Sequence, residues 1–397
     1  MSPLVLKRFT ATSCIGRGIG QTLGSLRTER GGLSRCDFET AELDTYVGAV
    51  AGVDDQALPA ELGRFDCRNN RLAEMALRED GFEEAVREAA ARRGARRIGV
   101  FIGTSTSGIL QTELAYRRRD PATGALPAQF DYGATHNSFS VADFLRRRLR
   151  LEGPAMVVAC ACASSAKVFA SARRMIEAEL IDAALVGGVD SLCLTTIYGF
   201  HSLQLCSASP CRPFDVDRDG ISVGEGAAFA LLERAGEDLA SDDVLLLGVG
   251  ESNDAYHMSA PHPDGNGARR AMQEALADAS LEAAAIDYIN LHGTGTPSND
   301  RSESQAVTSV FGAALPCSST KGATGHTLGA SGAIEAVISA LALRQGLMPG
   351  GVNTTRVDPT LTAHYLRRNR IAPVSRVLSN SFGFGGTNCS LIFGRAG

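Results

Sequence analysis

Two cysteines stand one residue apart in "GPAMVVACACASSAKVFASARRMIEAEL", residues 153–180, where an apolar run gives way to a helix of small residues. Residues 157–162 read as a strand running into Cys162, which places that thiol at a helix N-terminus. Unpaired N–H groups and the helix dipole there favour thiolate and supply ready-made donors for an oxyanion. Cys160 falls inside the strand and reads as buried. Taken alone, both cysteines fit the commoner fate of small core residues. Three further segments carry chemistry-bearing types. "NLHGTGTPSNDRSES" sets His292 directly after a buried-type strand and before a Gly/Thr loop, and "SSTKGATGHTLGASG" sets Lys321 and His326 before a second small-residue helix. "SNSFGFGGTNCS" breaks a strand with a turn carrying Phe382, Gly383, Phe384, Gly385 and Gly386.

These groups need a scaffold that brings distant loops together. The chain has 397 residues, 44% of them hydrophobic and 21% charged, with a formal net charge of −5. That is enough for one large α/β domain or two smaller ones, and it gives no whole-chain attraction to nucleic acid or anionic lipid. The ten cysteines lack the CxxC pairs of a zinc knuckle or redox dithiol, so no metal site is expected. No apolar stretch reaches the roughly 18 residues of a membrane span and the N-terminus has no signal-peptide core, so free thiols in a reducing cytoplasm are expected. Strands are predicted at 98–102, 156–160, 184–186, 244–249, 288–291, 377–379 and 390–393, and helices at 81–92, 163–180, 267–279, 303–311 and 328–345. The alternation implies βαβ units with helices on both sheet faces. The helices at 163–180 and 328–345 are small on nearly every side, which suits central, buried positions. Their similar placement suggests an internal duplication, with halves 1–238 and 239–397 and a seam at 233–244.

"ACASS", "PCRPFDVDRDGISVGEGAAFALLE", "SNDAYHMSAP", "HGTGTPSND", "TKGATGHTLGASGAIEA" and "NSFGFGGTN", in chain order, resemble the β-ketoacyl-acyl-carrier-protein synthases, the condensing enzymes of fatty-acid and type II polyketide synthesis. The resemblance runs from about residue 103 onward. It implies a thiolase-like fold, two similar α/β halves in a five-layer αβαβα arrangement, dimeric through strands near the nucleophile. It also implies an acyltransferase that forms a C–C bond by decarboxylative Claisen condensation. Cys162 would be acylated, while His292 and His326 would polarise a malonyl thioester and stabilise its enolate, neutral imidazoles donating through Nε2. Backbone N–H groups of Cys162 and Phe384 would form the oxyanion hole, with Phe384 as a gate. Thr294 and Thr296 would bind the phosphopantetheine arm, which arrives on the carrier protein so that no dissociable cofactor is needed. Lys321 and Glu335 would form a buried pair ordering the histidines, since a buried unpaired Lys is costly. Thr106 and Phe200 would line the acyl pocket, and Asp254 would sit on a second loop touching the gate.

Lys167, where relatives carry His or another residue, reads as a surface or dimer-interface charge. The Cys-His-His set argues against coenzyme-A-primed synthases, which show Cys-His-Asn, and a thiolase would carry a second catalytic cysteine near "FGFGGTN". "FDCRNNRLAEMAL" and "CSASPCRP" look like the synthases of bacterial aryl-polyene pathways. The expected partners are an acidic acyl carrier protein, docking on Arg64, Arg68 and Arg71 with the 117–119 arginines, and a second synthase subunit, identical or related. Two readings stay open beside the synthase: a non-condensing chain-length-factor-like subunit, and a cysteine acyltransferase or hydrolase on the same fold.

Overall fold

The computed structural model describes residues 3–237 and 239–396. Asp238, the last residue assigned to the first half, lies outside them. Eleven strands build the main framework: β1 Leu4–Ser13, β2 Ile98–Gly103, β3 Ala155–Val158, β4 Ala183–Asp190, β5 Gly226–Arg234, β6 Val244–Asn253, β7 Tyr288–Asn290, β8 Pro316–Ser318, β9 His364–Tyr365, β10 Arg376–Gly383 and β11 Thr387–Arg395. They order as β1-β5-β4-β2-β3 in one half and β6-β11-β10-β7-β8-β9 in the other. The halves follow one plan. β5 runs antiparallel to β1 and β4, β11 runs antiparallel to β6 and β10, and the strands beyond β4 and β10 are parallel. The half-sheets join where β1 meets β6, at Leu4↔Leu246 and Val5↔Leu245. Four of the eleven strands, β1, β5, β8 and β9, escape the sequence reading. "GAAFALLER" in β5 is Ala- and Leu-rich and has no period-2 signal, because buried neighbours cover both of its faces.

Helices α1 Arg68–Leu77, α2 Phe82–Arg93 and α3 Ser140–Arg148 cover the first half-sheet, and α6 Asn266–Ala279 and α7 Pro297–Phe311 cover the second. α5 Leu194–Ser202 follows β4. Between the half-sheets lie α4 Ser164–Glu177 and α8 Ser331–Gln345, in a core shared by Phe101 and Val186 of one half and Tyr288 and Phe393 of the other. This is the expected five-layer arrangement. α8 is buried on every side from Ser331 to Leu343.

The small residues serve close approach. A Cβ at Gly332 would lie 2.7 Å from the Ala166 nitrogen, and one at Gly188 would lie 2.5 Å from the Ser165 Cβ. Across the same contact the Ala333 N–H donates to Ser165 Oγ at 2.9 Å. Both central helices begin alike: a non-glycine residue in the left-handed region (Ala161, φ 48°; Leu328, φ 51°) opens or precedes a 3₁₀ turn, Ala161–Ala163 or Leu328–Ala330, and the α-helix follows. Each such residue stores backbone strain that surrounding packing must hold. No helix among the described residues is long and apolar enough to cross a membrane.

Gly332→Val should therefore lower the urea midpoint, costing about 1–3 kcal/mol as an overpacking substitution. An unchanged midpoint would show that the two helices are not in the close contact described.

Candidate active site

Cys162 lies within the 3₁₀ turn that precedes α4 and is 5% exposed. β3 stops at Val158, so Cys160 is not a strand residue: it is half-buried in the short link to the 3₁₀ turn, its N–H donating to Ser164 Oγ at 2.9 Å. Cys162 Sγ is 3.0 Å from His326 Nε2, and His326 Nδ1 is 3.0 Å from Ser331 Oγ. The His292 ring stands edge-on to His326, with centroids 5.3 Å apart. The three groups thus meet from a turn before α4, a loop after β7 and a loop before α8.

The expectation of a thiolate is corrected. Burial pushes the Cys162 thiol up to about 11, outweighing the Lys321 charge and the Phe384 N–H, which pull it down. The helix terminus does not compensate for a site this dry. Burial, then the Lys321 charge, also holds both imidazoles well below the usual histidine value, so they are neutral.

Lys321, 1% exposed, donates from Nζ to the His292 carbonyl at 2.6 Å, lies 3.3 Å from His292 Nδ1, and pairs with Glu335. An ammonium can only donate, so His292 Nδ1 is an acceptor and its proton sits on Nε2. Burial pushes Glu335 up to about 7 against the pull of Lys321. Sequence reasoning missed the groups that hold the His292 loop. Glu303 on α7 accepts the His292 and Gly293 N–H groups at 2.8 and 2.7 Å and the Asn380 amide at 3.1 Å. One turn earlier, Asp300 accepts the Gly295 N–H at 3.2 Å. The acids recur at i and i+3, the spacing of one helix face, which was the available signal.

Thr294 and Thr296 hydroxyls are 2.9 Å apart and line the cavity above Cys162, with Phe200, Phe382 and Phe384 as other walls. Phe200 packs against Phe384 at 5.8 Å between centroids. A Cβ at Gly383 would lie 3.2 Å from the Cys162 nitrogen, so glycine lets the Phe384 turn pack closely onto Cys162. Gly385 (φ 78°) and Gly386 (φ 72°) complete that turn, and Asp254 ties it down: its N–H donates to the Gly386 carbonyl at 2.8 Å and its carboxylate accepts from Asn388 at 2.7 Å. Thr106 is placed otherwise than expected. It does not line this cavity; its hydroxyl donates to the buried Asp190 at 2.8 Å, beside Thr104 and the Ser105 N–H. Donor atoms of Cys162, His292 and His326 all lie within 4.8 Å of one another, a spacing that a soft divalent ion could bridge. The adjoining Lys321 ammonium opposes further positive charge there.

The models of the β-ketoacyl synthase N-terminal and C-terminal domains match residues 59–238 and 244–355. A 3-oxoacyl-[acyl-carrier-protein] synthase 2 of Rhizobium meliloti is 37% identical over 344 residues, covering 81% of this chain and 79% of that one. The chain belongs to the β-ketoacyl synthase family. A Staphylococcus aureus 3-oxoacyl-[acyl-carrier-protein] synthase 2 is 32% identical over 85% of this chain and 89% of its own. Among solved structures, a ketosynthase in complex with its chain length factor from Xenorhabdus doucetiae matches with TM-score 0.88 and 37% identity, over 100% of this chain and 98% of that one.

As a synthase surface, the expected arginine patch needs correction. Arg68 is buried and bonded to Glu225 and Asp54, and Arg71 is clamped on Asp66. Of the three, Arg64 is well exposed, paired with Asp131 at 2.9 Å. Arg117 is turned toward Glu39 and Thr40, whereas Arg118 and Arg64 face one shallow hollow. Lys167 is likewise no free surface charge. Its side chain is 16% exposed and it pairs within the chain with Glu251 at 2.9 Å, beside Arg174.

The neutral histidines predict a pH signature. The unfolded chain protonates His326 near 6.5 and the fold resists it, so the stabilisation from a neutral ring is present above 6.5 and is lost as pH falls below. Glu303 and Glu335, pushed up to about 7, lean the opposite way, so the comparison must be with a variant. Relative to wild type, His326→Asn should gain about 1.4 kcal/mol per pH unit below 6.5 in urea unfolding. Parallel profiles would show that the ring is protonated in the fold.

Proposed function

We propose that this chain is a 3-oxoacyl-[acyl-carrier-protein] synthase that joins a Cys162-bound acyl group to the two-carbon unit of malonyl-carrier protein. The observation that carries the reading is the Cys162 thiol at 3.0 Å from one neutral imidazole, with a second locked as an Nε2–H donor beside it. In the first half-reaction the Sγ–acyl bond forms, the acyl–pantetheine C–S bond breaks, and the leaving thiolate takes the thiol proton by way of His326. In the second, the malonyl C–CO2 bond breaks, carbon dioxide leaves, and the electron pair enters an enolate whose oxygen His292 and His326 hold. Its carbon then attacks the acyl carbonyl, and the oxyanion rests on the Cys162 and Phe384 N–H groups before the Cys162 sulfur departs as thiolate and takes one proton from water, the proton that decarboxylation of the malonate anion consumes.

The pantetheine arm would bind along Thr294 and Thr296, so the partner brings the only cofactor. A carrier protein, being acidic, would meet Arg64, Arg118 and Arg119 rather than Arg68 and Arg71. β3 edges the sheet beside the nucleophile with Met156 43% exposed, which supports strand pairing with a second synthase subunit, identical or related. The finer assignment to an aryl-polyene pathway rests on the segments "FDCRNNRLAEMAL" and "CSASPCRP". Ten free thiols suit the cytoplasm.

Intact mass after mixing with acyl-carrier proteins should show an adduct that Cys162→Ala abolishes, and a malonyl-carrier chase should convert it to a β-ketoacyl product. No adduct with any acyl group would favour the chain-length-factor reading. An adduct that only hydrolyses would favour the acyltransferase reading, and preference for saturated over polyenoyl chains would remove the aryl-polyene assignment.

A further inference from the structure

The two imidazoles differ in what their second nitrogen faces. His292 Nδ1 faces the Lys321 ammonium, which fixes one tautomer. His326 Nδ1 faces a hydroxyl, Ser331 Oγ at 3.0 Å, which can donate or accept. Ser331 is 1% exposed and opens α8, and Thr327 Oγ1 lies 3.5 Å behind it.

We propose that Ser331 is a positioning residue that lets His326 serve both half-reactions, by accepting from Nδ1–H during acylation of Cys162 and donating to Nδ1 during malonyl decarboxylation. The inference rests on the condensing reading above. The two steps need opposite tautomers. His326 Nε2 is the ring nitrogen within hydrogen-bond reach of Cys162 Sγ, at 3.0 Å, so passing the S–H proton to this ring during acylation requires a lone pair on Nε2 and the ring proton on Nδ1. The S–H proton passes to Nε2 as the Sγ–acyl bond forms and returns from Nε2 to the leaving thiolate, so the ring ends as it began. Holding the enolate oxygen requires the reverse, a proton on Nε2. The ring changes tautomer by taking a proton at Nε2 from cavity water and losing one at Nδ1 to the Ser331 hydroxyl, which passes its own proton by way of Thr327 Oγ1 to solvent water, so no net proton is consumed. A lysine at this place would allow only the second state.

Ser331→Ala removes the acceptor for Nδ1–H and leaves that proton buried without a partner, which costs more than an unpaired lone pair. The Nε2–H tautomer then dominates. Acylation of Cys162, followed by intact mass against acyl-carrier protein, should slow about tenfold, while decarboxylation of malonyl-carrier protein, followed by carbon dioxide release, stays within about twofold. Ser331→Thr keeps the hydroxyl and should restore acylation. A variant that folds with a wild-type melting temperature but loses both rates in proportion, or neither, would overturn the proposal, as would acylation equally slow in Ser331→Thr and Ser331→Ala. Wild-type protein that neither acylates nor decarboxylates would instead refute the condensing reading, which separates the two failures.

Discussion

A single buried cation organises this site. Lys321 has no solvent to stabilise it, so its charge must be answered inside the fold, and Glu335, the His292 carbonyl and His292 Nδ1 answer it. Each answer constrains something else. Glu335 lies on α8, so the pair ties the loop before the helix to the helix itself, while the imidazole contact fixes which ring nitrogen carries the proton. Burial is the main reason both histidines are held neutral; the same positive charge adds to it and tempers the rise of the Cys162 thiol. Removing it would leave a carboxylate buried alone, so the ammonium is at once an electrostatic and a structural requirement.

Around that charge the walls are made of backbone as much as of side chains. Glu303 grips two successive N–H groups of the His292 loop, and Asp254 grips the Phe384 turn through its own N–H and carboxylate. These anchors hold both loops at the cavity wall, and the glycines at 385 and 386 supply the left-handed backbone that the Phe384 turn requires.

The sequence spoke clearly where chemistry dictates residue type. Cys162, His292, His326, Lys321 and the glycine turn were legible, since small helices and unusual polar groups in apolar contexts stand out. The duplicated α/β plan was legible from the two small-residue helices. What stayed hidden was set by tertiary context. β5 carries no alternation because it is covered on both faces; Arg68 reads as a surface basic residue until Glu225 is found beneath it; Thr106 reads as a pocket residue until Asp190 claims its hydroxyl. The ionisation of Cys162 also turned on burial, which local spacing does not encode.

The shared opening of the two central helices carries a consequence for how many reactions one chain can perform. If the halves descend from one unit, Ala161 and Leu328 correspond, and the counterpart of Cys162 is Gly329. A side chain there would run into Ser105 Oγ at 2.6 Å and the Asp190 carboxylate at 2.7 Å. The second half therefore has no room for a nucleophile of its own, and its corresponding turn brings His326 to face the first. On that reading duplication left one centre shared between the copies, the earlier supplying Cys162 and the later the imidazole of His326 that meets it.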